Sequence, residues 1–298
     1  MNSELVERIV RTLLYEGYML YPYRPSAIKN RQRWNFGVLT PKCFSEAHRG
    51  TEAWMMQTEC LVKNPKEARL NINIRFLQLV GEEVLERDTS ITDQSLDELT
   101  IAPRESPFRL PAEQQAIEGL VEISAELIAW QLFKLRARVK NVTALVDVSR
   151  RTRDEILPHS LVSTHMIFKI NGGEFVSLLD PPDELRASAA ACQNIGCWPV
   201  LVGKSGERDC MLSSPIILYD YPQVATESAG DFYDATEIDE LLTLRVLTLT
   251  DEEKREMRSG DLRAKQVLDR TEALPWEQLA CVHGAVRELA PVKEDNSD

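Results

Sequence analysis

The amino-acid sequence predicts an α+β fold, with a β-rich, sandwich-like N-terminal half followed by a smaller α+β half that ends in helices. Three observations carry this. Residues 69–80, RLNINIRFLQLV, put Leu70, Ile72, Ile74 and Phe76 on one face and Asn71, Asn73 and Arg75 on the other, the period of a strand with one side buried. Residues 133–140 repeat the pattern, with Phe133, Leu135, Ala137 and Val139 alternating against Lys134, Arg136, Arg138 and Lys140. Past residue 181 helical spacing enters, in PDELRASAAACQNI and again in TDEEKREMRSGDLRAKQVLDR. At 298 residues the chain exceeds one typical core, so two domains are expected. The expected division is 1–150 for the first helix, a basic loop and the β-rich domain, 151–290 for the α+β domain with its C-terminal helices, and 291–298 as a disordered tail.

In chain order, residues 3–14 place Leu5, Ile9, Thr12 and Leu13 on one side of a helix, with Ser3 as its cap and Gly17 as its stop. The stretch Tyr21 to Trp34, YPYRPSAIKNRQRW, packs Arg24, Lys29, Arg31 and Arg33 between Tyr21, Tyr23 and Trp34 without an acid. Pro22 and Pro25 fix φ there and make the start of the loop extended. WNFGVL and AWMMQTECLV then read as strands, while 86–111 is polar with scattered prolines and reads as a connection holding at most one short element. IEGLVEISAELI fits both a helix and a strand, and the clean alternation that follows it favours strands over 117–148. Asn171-Gly172-Gly173 is a turn between two strands, rich in residues that tolerate positive φ. PDELRASAAACQNI has a first-turn acid pair, Asp183 and Glu184, and Gly196 where a C-terminal cap belongs. WPVLVG and CMLSSPIILY follow as apolar strands; Thr250 with Glu253 forms a capping-box pattern, and PWEQLACVHGAVREL reads as a last helix.

Composition narrows the function. A hydrophobic content of 43% with 28% charged residues is ordinary for a soluble protein, and no window approaches the roughly 18 apolar residues of a membrane helix. The N-terminus, with Glu4, Glu7, Arg8 and Arg11 on an amphipathic repeat, is unlike a signal peptide, so a cytoplasmic protein is expected. A formal charge of −12 weighs against nucleic-acid binding. Six cysteines without a CxxC pair read as reduced packing residues; Cys192 and Cys197, which bracket QNIG, lack the tighter, repeated spacing of zinc ligands.

Two stretches could carry chemistry. In the basic loop, Arg24, Arg31 and Arg33 can clasp carboxylates or phosphates through planar forks, Lys29 adds a point charge, and Tyr21, Tyr23 and Trp34 supply flat contact area for a partner. The plain alternative is a solvated loop whose aromatics pack on the core. Residues 219–240 hold seven acids and no lysine or arginine. Asp231, Asp234, Glu237 and Asp239 are candidate hard-cation ligands there, against a solvated or partner-facing acidic surface, and the spacing is not that of an EF-hand. His159 and His165 could share a strand face, with core or surface histidines as the default. Ser163-Thr164-His165 and Ser213-Ser214-Pro215 offer hydroxyls, but there is no GxSxG elbow and no phosphate-binding glycine loop.

At YEGYMLYPYRPSAIKNRQRWNFGVL, LVSTHMIFKINGGEFVSLLDPP, SSPIILYDYPQVATES and DATEIDELLTLRVLTLTDEEKREMR the chain resembles an uncharacterised bacterial family associated with [NiFe]-hydrogenase gene clusters. The resemblance covers most of the chain and brings no catalytic residues with it. It implies an accessory or assembly role. The expectation is therefore a noncatalytic protein that docks a partner, with a hydrogenase subunit or maturation factor as that partner and with no cofactor. The alternative is a divalent-metal-dependent hydrolase whose carboxylates hold the ion while Arg24, Arg31 and Arg33 hold an anionic small molecule.

Overall fold

A computed structural model describes residues 3–16, 23–24, 26, 34–63, 65, 67–81, 83–110, 116–223, 239–260 and 262–275. Ten strands are described: β1 (Met55–Lys63), β2 (Arg69–Val80), β3 (Glu83–Ser95), β4 (Arg104–Leu110), β5 (Ile117–Ala129), β6 (Leu132–Asn141), β7 (Val162–Asn171), β8 (Glu174–Phe175), β9 (Trp198–Leu201) and β10 (Cys210–Ser214). The helices are α1 (Ser3–Leu14), α2 (Lys42–Ala47), α3 (Leu96–Ile101), α4 (Arg153–Ile156), α5 (Arg186–Ala190), α6 (Asp239–Leu247), α7 (Asp251–Ser259) and α8 (Leu262–Glu272). The fold is α+β. No helix among the described residues is long and apolar enough to cross a membrane.

The chain forms two compact units, Met1–Tyr18 with Arg33–Val224, and Met19–Gln32 with Ala225–Asp298. They do not follow the expected division at residue 150, because strands from both sides of it pair within each sheet. The first unit holds two five-stranded antiparallel sheets, in the orders β4-β5-β6-β1-β8 and β3-β2-β7-β10-β9. One buried apolar cluster takes side chains from both, including Cys60, Val62, Val121, Leu135 and Val139 from the first sheet and Ile72, Ile74, Phe76, Met166, Phe168 and Met211 from the second. Alternation decides which side chains enter it: Leu70, Ile72, Ile74 and Phe76 on β2 are buried as expected, and so are Leu135, Ala137 and Val139 on β6. Phe76 on β2 meets Phe108 on β4 at 6.0 Å between ring centroids, and Phe168 on β7 meets Phe175 on β8 edge-on at 6.4 Å. On β5, opposite Phe108, stands Gly119, where a Cβ would fall 2.0 Å from the Phe108 ring; glycine there lets the aromatic lie flat across the strand.

Four expectations change. The stretch read as a connection over 86–111 is none: residues 86–110 form most of β3, then α3, then β4. Their polarity reflects position, since β3 and β4 are edge strands that bury few side chains and are held by backbone pairing to β2 and β5. Pro107 sits on β4, where an edge strand tolerates a missing N–H. The Asn171-Gly172-Gly173 turn is present, with Gly172 at φ 78, yet β7 and β8 do not pair; the turn carries the chain from one sheet to the other. The helix expected over 182–195 shrinks to a tight turn and α5, so Gly196 does not cap it. WNFGVL is not a strand; it forms an isolated bridge from Leu39 to Leu161 just ahead of β7.

Gly37 explains that last irregularity. Its φ is +57, a Cβ would stand 2.7 Å from Pro215 Cγ and 2.9 Å from the Thr164 backbone nitrogen, and its carbonyl accepts from that same nitrogen at 2.9 Å. Gly37→Ala is expected to lower stability by about 2 kcal/mol, through a left-handed alanine and a crowded backbone contact. A urea midpoint unchanged by the substitution would refute this.

Helix α1 packs on β7 and β2, burying Val6, Ile9, Val10 and Leu13. The i, i+3, i+4, i+7 stripe therefore starts at Val6, and the expected members Leu5 and Thr12 sit at its margins. In the second unit α8 packs on α6 and α7, with Leu242, Val246, Met257, Val267 and Leu268 buried. The expected capping box is formed in full: Thr250 Oγ1 accepts from the Glu253 N–H, and Glu253 accepts from the Thr250 N–H at 2.9 Å. The helix read over 275–289, apart from its first residue, and the tail 291–298 lie outside the described residues.

Candidate functional site

The basic loop is anchored by the residues expected to face a partner. Tyr23 is fully buried at φ 58 in the second unit, and Trp34 is buried at φ 60 in the first. The aromatic bodies thus follow the plain alternative and pack inside. Arg24 pairs with two acids of α7, with Nη2 3.1 Å from Glu253 and Nη1 3.6 Å from Glu256, and the Ser26 N–H donates to Glu256 at 3.2 Å. These contacts help hold both carboxyls below the usual range, after the main causes, which are the Thr250 hydrogen bonds to Glu253 and the Ser26 bond to Glu256. The Trp34 carbonyl accepts from Arg153 Nη2 at 2.6 Å, and Arg153 also pairs with Glu52. Tyr21, Lys29, Arg31 and Arg33 lie outside the described residues, as do Asp231, Asp234 and Glu237, while Asp239 opens α6.

Four cations of the first unit come together on the outer face of the β5-β6-β1 sheet. Lys134, Arg136, Arg138 and Lys140 project there from β6, and each meets a partner on a neighbouring strand. Lys134 pairs with Glu126 at 2.9 Å, Arg138 donates to Gln57 Oε1 at 2.6 Å and reaches Glu122 at 3.8 Å, and Lys140 bonds Glu122. The Glu126 bond is the main reason the Lys134 pKa is raised. Arg136 Nε donates to Glu59 at 2.6 Å. Glu59 is only 1% exposed, and its second oxygen accepts from the Gln193 N–H at 2.8 Å.

Segment 191–197 clamps the edge of β1. Gln57 exchanges backbone bonds with Ile195, its Nε2 donates to the Gln193 carbonyl at 2.9 Å, and the Glu59 N–H donates to Asn194 Oδ1 at 2.9 Å. The sequence makes AWMMQTECLV, which holds Gln57 and Glu59, a strand but gives the two no role. Their signal was there: two hydrogen-bonding side chains two residues apart in a strand read as buried require partners. At the far end of this face, the β5–β6 hairpin turns through Trp130 and Gln131. Trp130 is 87% exposed, with Leu127 beside the turn at 59%.

The remaining candidates are structural. Ser163, Thr164, Ser213 and Ser214 are buried, with Thr58 Oγ1 2.5 Å from Ser213 Oγ and 3.3 Å from Cys197 Sγ. Burial pushes the thiols up, Cys192 to about 11 and Cys210 to about 12, so neither is a ready nucleophile. His48 stacks on Phe44, and His159 is partly buried, which lowers its pKa. His165 is fully buried and pushed down to about 4 by burial, with Nδ1 2.7 Å from the Ser163 carbonyl. Among the described residues no three His, Cys, Asp or Glu side chains are grouped to hold a metal ion. A shallow depression of about 270 Å³ lies where the chain crosses between sheets, lined by Gly173, Glu174, Gly206, Glu207, Arg208 and Asp209. None of these was a sequence candidate. The chain matches no protein-family model, and a search of curated proteins finds no match.

Proposed function

We propose that the chain is a noncatalytic accessory or assembly protein of the cytoplasm, a sandwich-like β frame with C-terminal helices that docks a partner protein. The observation that carries this reading is the β5–β6 hairpin: a face of ordered, paired charges that ends in an exposed tryptophan. Fixed charges orient an incoming protein and suppress wrong partners, and an exposed indole is the side chain that most often supplies the affinity. The cations of the face are held by carboxylates and amides two strands wide, which suits a protein with its own charge pattern better than a small free anion. Hydrogenase assembly is the setting implied by the sequence resemblance, and Arg31 and Arg33 of the basic loop are the second proposed contact.

The test is affinity capture from the native host with the tagged chain, its Trp130→Ala variant and its Arg31→Ala/Arg33→Ala variant, with captured proteins identified by mass spectrometry. Capture of [NiFe]-hydrogenase subunits or maturation factors is expected, weakened about 30-fold by Trp130→Ala, the change that losing one anchoring aromatic produces. The double variant is expected to weaken capture in a salt-dependent way. If the unaltered chain captures no hydrogenase protein, the assembly role falls; if capture survives both variants, the two proposed contacts fall.

A further inference from the structure

We propose that helix α1 is an acid-released latch on the outer face of the second sheet, held closed by the neutral ring of His165 beneath it. Directly opposed residues of antiparallel strands project to the same face, and His165 on β7 stands opposite Arg75 on β2. Arg75 reaches Glu7 of α1 at 2.7 Å, so this is the face that α1 covers, while Met166, Phe168 and Ile170 turn into the apolar cluster between the sheets.

The ring has one satisfied nitrogen. Nδ1 lies 2.7 Å from the Ser163 carbonyl, which can only accept, so Nδ1 carries the proton and Nε2 is left as a lone pair. Nε2 has no hydrogen-bond partner and no water-accessible surface. A neutral ring tolerates that. A second proton would create a buried donor without an acceptor.

The charged and titratable groups of the packed elements do not relieve it. On β2 there is Arg75 itself. On α1, Glu7 is taken by Arg75, Arg11 and Tyr15 both turn to Glu86 of β3, at 3.9 and 3.0 Å, and Glu16 is buried past the helix end. Asp88 of β3 accepts from Asn73 at 3.2 Å, β7 adds only Lys169, and β10 presents the neutral Ser214.

The segment is also strained where it meets the latch. Ser163 is buried within β7 at φ 52, in the left-handed region, and its hydroxyl donates to the Leu13 carbonyl in the last turn of α1 at 3.5 Å. Lifting α1 uncovers Val6, Ile9, Val10 and Leu13 but leaves the cluster between the two sheets intact, so a local opening can precede global unfolding.

Acid favours the open form. An uncovered histidine takes its proton below about pH 6.5, whereas the covered one resists until about 4, so the latch is fully closed above 6.5 and loosens progressively toward 4. At pH 5 the open form should gain about 30-fold over its population at pH 7.5.

Amide hydrogen exchange on the whole chain at pH 5 and 7.5, corrected for the intrinsic rate, reads this directly. Protection of 3–14 is expected to fall about 30-fold at pH 5 while β6 keeps its own, and His165→Leu is expected to remove the difference. The same loss in His165→Leu, or equal protection at both pH values, overturns the latch. Should His165→Leu not fold, a pH series on the unaltered chain decides: loosening that starts just below 6.5 supports histidine control, and loosening that sets in only below about pH 5 overturns it.

Discussion

Asn141→Ala is expected to lower stability by about 3 kcal/mol, although the residue lies just past the alternating run of 133–140 that marks the strand in the sequence. Its side chain is fully buried. Nδ2 donates to the Leu39 carbonyl at 2.8 Å and to the His159 carbonyl at 2.9 Å, and Oδ1 accepts from the Thr143 N–H at 3.1 Å. One amide thus joins the end of β6 to two segments that are about a hundred and about twenty residues away in the chain. Alanine would strand a buried carbonyl and a buried N–H, each costing on the order of 1–3 kcal/mol, while the Leu39 carbonyl keeps the Leu161 N–H. Asn141→Asp sharpens the test: it preserves shape and the bond from Thr143 but turns an acceptor toward two carbonyls, so it should destabilise at least as much as alanine. Urea unfolding of the three proteins measures both, and a loss under 1 kcal/mol for both variants would mean that water replaces the amide.

Asn141 also shows where sequence reading stops. Periodicity gave β2 and β6 nearly residue by residue, because burial of one face leaves a mark on every second position. It also gave the Thr250 cap, a purely local device. The edge strands β3 and β4 left no such mark: backbone pairing needs no apolar side chain, so 86–111 read as a connection. Long-range partners are invisible in the same way. Nothing in the neighbourhood of Asn171-Gly172-Gly173 tells that β8 belongs with β1, or that Asn141 reaches Leu39.

The candidate site divides along the same line. The cations of β6 were legible, and their face followed from the alternation. Their fixed geometry was not, since Glu59 and Gln57 come from β1 and the clamp on those two comes from residues 193–195. In the basic loop, residue type suggested contact area for Tyr23 and Trp34. Burial settled otherwise, because an aromatic ring between prolines and cations is still the most favourable thing in its stretch to put inside.

Glu59→Ala should be the most damaging single change on the outer face of the β5-β6-β1 sheet, with a loss of about 3 kcal/mol. Removing one partner from a buried ion pair typically costs about 3–5 kcal/mol. Arg136 is 39% exposed and can recover water, which argues for the low end; the Gln193 N–H, held over β1 by the Gln57 bonds, cannot turn away as easily. Glu59→Gln supplies the control. A neutral amide of the same shape still accepts from Gln193 or from Arg136, so it should cost about 1.5 kcal/mol, the low end of the net worth of a hydrogen bond to a charged group. Partner capture separates stability from function: Glu59→Gln keeps the clamp but frees Arg136 on the face, so it should change the salt dependence of capture more than its stability. If Glu59→Ala and Glu59→Gln unfold at the same urea concentration, the clamp is not what fixes the β6 cations, and the order of that face must come from the β5 acids Glu122 and Glu126 alone.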